Sequence, residues 1–221
     1  MKRKLLAAPY LVWMVIFTIV PLILVFYFGL FESGPDGIYF TTEHIKRVFE
    51  PIYLKVIVRS LWLAFISTVV CLILGYPMAM ILASKVLKMR DILVVLFVLP
   101  MWMNFLARTY AWMTLLENNG LINQFLTFLH LPTLNILYTD KDVVLGMVYN
   151  FLPFMVLPIY SVLRKLDSSL LEAAQDLGAT PIKTFIKVIF PLSLSGVASG
   201  IIMVFMPAVT TFVISRLLGG G

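Results

Sequence analysis

The chain has 221 residues, 61% hydrophobic and 13% charged, with a mean hydropathy of +1.00 and a formal net charge of +6. Soluble globular chains carry about 25% charged residues, so this composition excludes a water-soluble domain, a disordered chain and an ordinary soluble enzyme. A single cysteine, Cys71, excludes an intrachain disulfide.

A membrane-spanning helix needs about 20 mostly apolar residues. Five segments qualify: residues 5–31, 56–83, 92–116, 143–163 and 196–217. None alternates with the period of two that marks a membrane β-strand. The predicted fold is therefore an all-α, polytopic transmembrane bundle forming a single domain over residues 1–221. The first segment follows Met1-Lys2-Arg3-Lys4. Its apolar run is too long for the roughly 7–15 residues of a signal peptide, and reads as an uncleaved helix.

Basic residues set the orientation of such a bundle. The amino terminus, the loop after the second segment (Lys85, Lys88, Arg90) and the loop after the fourth (Arg164, Lys165, Lys183, Lys187) lie on one side and sum to +6. The opposite side sums to −2, with Glu117, Asp140 and Asp142 among its acids. The first side is predicted to be cytoplasmic, amino terminus included. The positive charge thus reads as an orientation signal and not as a nucleic-acid footprint.

Six prolines (Pro21, Pro77, Pro100, Pro153, Pro158 and Pro207) fall inside the predicted spans, where each removes a backbone donor and tends to kink its helix. Arg108 is the ionisable residue well inside the third span, and such a charge usually faces the bundle interior or water. Asn104 sits one turn earlier, and Trp102, Tyr110, Trp112, Tyr149 and Asn150 are expected around it. These seven residues form a candidate translocation path; the alternative is an arginine that snorkels outward, with aromatics at the interfaces. Gly196 and Gly200 form a small-xxx-small pair at the start of the fifth segment, which admits a closely packed helix.

Residues 164–195 form a polar loop dense in helix signals. Ser169 and Glu172 fit a capping box, and Gly178 can end the short helix in a left-handed turn. Thr180-Pro181 reads as a second start. That helix is predicted to stop at Pro191, with Ile182, Phe185, Ile186 and Ile189 at helical spacing. Two short helices joined by a glycine make a docking knob for a partner on the cytoplasmic side.

Glu172-Ala173-Ala174, three residues, Gly178, nine residues, then Val188-Ile189-Phe190-Pro191 resembles the EAA loop of ABC importer permeases. That pattern ends Ile-x-Leu-Pro, so Val188 and Phe190 are apolar replacements. Leu74-Gly75-Tyr76-Pro77, Leu99-Pro100-Met101-Trp102, Arg108-Thr109-Tyr110-Ala111-Trp112 and Leu152-Pro153-Phe154-Met155 extend the likeness to spermidine/putrescine importer permeases.

The resemblance implies a type I importer permease in a bacterial inner membrane, with a sixth span expected beyond residue 221. It implies a second, similar permease, two cytoplasmic ATPase subunits and an external substrate-binding protein as partners. The loop residues Glu172, Ala173, Ala174, Asp176, Gly178 and Pro191 would couple to the ATPases. The chain has no Gly-x-x-x-x-Gly-Lys-[Ser/Thr] phosphate loop, no His-Glu-x-x-His and only two histidines, His44 and His130. It is therefore not expected to be an enzyme or to bind a cofactor; ATP and magnesium would be used by the partners.

Polyamines are cations, whereas the predicted spans contain Arg108 and no Asp or Glu. Arg108 alone favours an anion or a neutral solute, so other solutes (sulfate, thiamine, phosphonate or iron) stay open. So does a channel or secondary transporter that needs no ATPase.

Overall fold

The computed structural model of the chain describes residues 9–34, 37–84, 89–133 and 137–211, together with Ile214 and Leu218. The basic residues Lys2, Arg3, Lys4, Lys85, Lys88 and Arg216 lie outside the described residues. The chain divides into two compact units, residues 1–59 and 60–221.

The first unit opens with α1 (Pro9–Leu30), which is apolar on every side and has no buried residue in its hydrophobic stretch. A helix that is hydrophobic all round belongs in lipid. Its turn at Val15–Ile19 widens to a π-turn, closed by Val20 N–H donating to the Val15 carbonyl. Pro21 follows at once, so the wider turn lets the helix continue past a residue that cannot donate.

A short hairpin, β1 (Phe31–Gly34) and β2 (Gly37–Phe40), comes next, in antiparallel register with Phe31 opposite Phe40 and Glu32 opposite Tyr39. Tyr27 stacks on Phe31 at 5.0 Å and Phe31 meets Phe40 edge-on at 5.7 Å, tying the hairpin to the end of α1. An all-α expectation does not include this hairpin. The signal for it is the Gly-Pro-Asp-Gly composition at positions 34–37 between short apolar runs. The short helix α2 (Glu43–Val48) completes the excursion.

Helix α3 (Pro51–Ala83) enters the second unit at Ser60. There it is joined by α4 (Arg90–Val98), α5 (Phe105–Leu116), α6 (Leu121–Phe128), α7 (Asp140–Arg164), α8 (Ser168–Asp176) and α9 (Pro181–Thr210). Among the described residues α1, α3, α7 and α9 are long and apolar enough to cross a bilayer. The bent pair formed by Arg90–Trp102 and Phe105–Phe128 makes a fifth if counted as one span.

Helix α7 is the centre of this unit. Of its apolar stretch 56% is buried, against 28% for α3 and for α9. Its buried side chains Met147, Phe151, Met155, Ile159 and Leu163 recur at helical spacing. They meet Leu63, Ala64, Cys71, Tyr76, Ala79 and Leu82 of α3 in one core. The small-residue pair of α9 finds its partner here. A Cβ on Gly196 would stand 2.9 Å from the Pro158 carbonyl oxygen and 3.1 Å from the Ile159 Cα, and one on Gly200 would stand 2.8 Å from the Met155 sulfur. Only glycine lets the α9 backbone lie this close to α7.

Two span predictions need correction. Residues 92–116 do not form one helix. After α4 the chain tightens into a 3₁₀ turn at Leu99–Trp102 around Pro100, Met103 is extended, and α5 starts afresh at 92° to the first piece. The helix from Pro181 does not stop at Pro191 but runs on as α9 to Thr210. A π-turn at Phe185–Ile189, with Phe190 N–H donating to Phe185, precedes Pro191 as its counterpart precedes Pro21.

Candidate functional site

The loop after α7 folds as a knob. Asp167, not Ser169, caps α8: its carboxylate accepts the Ser169 amide at 3.0 Å. Asp167 already holds the extended cap conformation, which moves the helix start two residues earlier than the capping-box reading. At the other end Gly178 has φ +76°. Its amide donates to Gln175 at 2.8 Å, and the Ala179 amide donates to Ala174 at 3.0 Å. This is the paired hydrogen-bond pattern of a left-handed helix stop. Thr180 then caps α9, its hydroxyl accepting the Lys183 amide at 3.4 Å, with Pro181 in the first turn.

Glu172, Ala173, Asp176 and Gly178 are exposed on this knob, and Ala174 is half-buried. The tip is more apolar than the motif residues imply, with Leu177 89% and Ile182 72% exposed. The apolar positions of early α9 do not share one face. Ile182 and Ile186 point out, while Phe185 and Ile189 pack towards the core. Pro191 is exposed and lies within α9, not beyond its end.

Where α9 leaves the knob it is tied to α3. The Tyr76 hydroxyl and the Ser193 hydroxyl are 2.7 Å apart and buried. Ser193 also donates to the Phe190 carbonyl at 2.9 Å. The Tyr76 ring meets Phe185 edge-on at 5.7 Å and Phe190 at 6.0 Å. This cluster grips both ends of the π-turn. Tyr76 was legible in sequence only as a residue beside Pro77, because its partner lies 117 positions away.

The candidate membrane path is less coherent. Arg108 is buried on α5, and its Nε and Nη1 have no hydrogen-bond partner among the described residues. Asn150 is buried on α7, donating to the Gly146 carbonyl at 2.8 Å while its Oδ1 is unpartnered. Trp112 and Tyr149 meet edge-on at 5.1 Å and join the two helices. The Asn104 carbonyl accepts the Arg108 amide at 3.1 Å. Asn104 caps α5, its Oδ1 accepting the Leu106 and Ala107 amides at 2.8 and 3.3 Å. Trp102 is 83% exposed, and Tyr110 is also exposed.

The acids near this region differ in burial, with Glu117 and Asp140 exposed. Helix α7 begins at Asp140, so Asp140 and Asp142 both fall in its first turn, where the helix dipole favours negative charge. Asp142 is fully buried. No group of three or more His, Cys, Asp or Glu side chains among the described residues is arranged to hold a metal ion.

Residues 75–221 match the family described as "Binding-protein-dependent transport system inner membrane component". The "Spermidine/putrescine transport system permease protein PotB" of Escherichia coli (strain K12) is 39% identical over 214 residues, covering 94% of this chain and 78% of that protein. The fold matches the crystal structure of a bacterial ABC transporter involved in the import of the acidic polysaccharide alginate. That match has a TM-score of 0.79 at 18% identity and covers 98% of this chain and 78% of that one. The same transporter type in complex with an alginate pentasaccharide-bound periplasmic protein matches with a TM-score of 0.75 at 17% identity, over 97% and 75% of the two chains. The EAA-like knob, the apolar spans and these likenesses agree: the chain belongs to the inner-membrane permeases of binding-protein-dependent ABC importers.

Proposed function

We propose that this permease forms half of the translocation path of an ATP-driven importer for spermidine or putrescine. The observation that carries the coupling half of this reading is the knob. A φ of +76° at Gly178 presents Glu172, Leu177 and Ile182 to a partner, and α9 runs unbroken from that turn into the membrane core. Two cytoplasmic ATPase subunits dock on this knob and its counterpart, with the amino terminus on the same side. Such subunits bind ATP and magnesium; this chain hydrolyses nothing and binds no cofactor.

A second, similar permease completes the path, and an external binding protein delivers the solute. The exposed Trp102 and Tyr110 suit a surface turned towards that second permease, whereas Trp112 and Tyr149 already face each other. The polyamine assignment is supported by the relatives' substrate. The buried Asp142 carboxylate and the aromatic rings also suit a cation. Arg108 opposes it.

Competition in reconstituted vesicles separates these claims. ATP-dependent uptake of labelled spermidine through the assembled complex is expected to be blocked by putrescine and unaffected by sulfate. Block by sulfate but not by polyamines overturns the substrate class. Uptake that survives removal of ATP and collapses with the ion gradient overturns the ATP-driven mechanism.

A further inference from the structure

We propose that a cleft at the knob end of the second unit binds the headgroup phosphate and upper acyl chain of an anionic phospholipid. The cleft, about 310 Å³, opens where α3, α4, α7, α8 and α9 converge. Its walls are apolar, built from Met80, Leu163, Leu171 and Ile189, and two guanidinium groups, Arg90 and Arg164, stand among them.

The charges do not balance within the cleft. Arg90 Nε and Arg164 Nη1 lie 3.7 and 3.8 Å from the same oxygen of Asp91. Two cations share one carboxylate, at separations too long for good hydrogen bonds. Asp91 is 71% exposed, so water screens what attraction it provides. Between these three described side chains one positive charge is in excess, and an anion would meet it. Arg164 is also held in place, since Nη1 donates to the Tyr160 hydroxyl at 3.0 Å and the guanidinium sits 5.9 Å from that ring's centroid. A fixed guanidinium plane suits the paired oxygens of a phosphate.

Position and lining select a lipid over a free anion. Arg164 ends a spanning helix and Arg90 begins the bent third segment, which places both guanidinium groups at the membrane border. Basic pockets between spans at that level bind acidic headgroups. A free phosphate gains nothing from Met80, Leu163, Leu171 and Ile189, whereas an acyl chain removes that surface from water. With the knob facing the cytoplasm, the lipid comes from the inner leaflet. Ser168 and Leu171 of α8 also line the cleft, so the bound lipid supports the knob from beneath.

The test uses the assembled transporter in nanodiscs of phosphatidylcholine containing a minor fraction of phosphatidylglycerol, with retained lipid counted by native mass spectrometry. Wild type is expected to keep phosphatidylglycerol. The Arg90→Gln/Arg164→Gln variant loses it about tenfold or more. Met80→Trp, which leaves both arginines and fills the apolar wall, also loses it. Lys165→Gln, which removes an exposed charge outside the cleft lining, keeps it. Intact mass of the complex reports folding of each variant. Equal retention in wild type and both cleft variants overturns the site. Equal loss in Lys165→Gln reduces it to general surface charge, and displacement of the lipid by inorganic phosphate alone overturns the lipid assignment.

Discussion

Two regions of the second unit meet a proline in opposite ways. At Pro191 the chain widens by one residue into a π-turn and the helix runs on, giving one continuous rod from Pro181 to Thr210. At Pro100 it tightens into a 3₁₀ turn, an extended Met103 follows, and the next helix leaves at 92°. Proline denies both sites the same hydrogen bond. What differs is the neighbourhood. Behind Pro191 stand Ser193, bonded to the Phe190 carbonyl and to Tyr76, and the close seat of Gly196 and Gly200 on α7. Behind Pro100 stands Asn104, which caps a new helix. Packing holds one segment straight and a local cap makes the other turn. In the proposed function the first segment would carry motion from the knob and the second would border the membrane path.

This contrast can be broken at several points. The largest effect is expected at Gly196→Val. Its Cβ meets the Val162 side chain and also the Pro158 carbonyl oxygen and Ile159 Cα of α7, and that backbone cannot rotate away, so the helices must part. The cost is about 1–3 kcal/mol, read as a lower melting temperature of the purified complex and loss of assembled transporter. Asn104→Ala removes two accepted amide bonds and should cost about 1 kcal/mol. Hydrogen exchange should rise at Leu106 and Ala107 while α9 is unchanged.

Asp167→Ala should destabilise α8 by about 1 kcal/mol, with Ser169→Ala near neutral; the reverse order would restore the capping-box reading. The smallest expected loss is that of Tyr76→Phe, which keeps the ring cluster and removes one buried hydrogen bond, about 0.5 kcal/mol at the low end for a single bond. Ser193 retains its bond to Phe190, so a double-mutant comparison with Ser193→Ala isolates the tie between α3 and α9.

Much of the knob was legible in the sequence because its determinants are local. Gly178, Thr180 and Pro181 act on their own backbone neighbours, and all three behave as their residue types predict. Sequence alone does not separate Asp167 from Ser169, because both are good caps two residues apart and only backbone geometry distinguishes them. The continuation through Pro191 was not legible, since it depends on a π-turn and on a tyrosine far away in the chain. The break in the third segment had its signals in Pro100 and Asn104, but an unbroken apolar composition outweighed them. The burial of Asp142 had none, because composition gives the side of the membrane and not the depth of one carboxylate.

The most direct test of the account is the number of polyamine molecules imported per ATP hydrolysed by the reconstituted complex, in wild type and in Gly178→Asp. A Cβ at this position meets no atom within 4 Å, so the substitution acts first through the left-handed backbone conformation and its charge. A coupling role for the knob predicts that the variant loses association with the ATPase and at least about tenfold of its uptake, while the spans stay folded. Unchanged association and an unchanged ratio would contradict a coupling role for the knob.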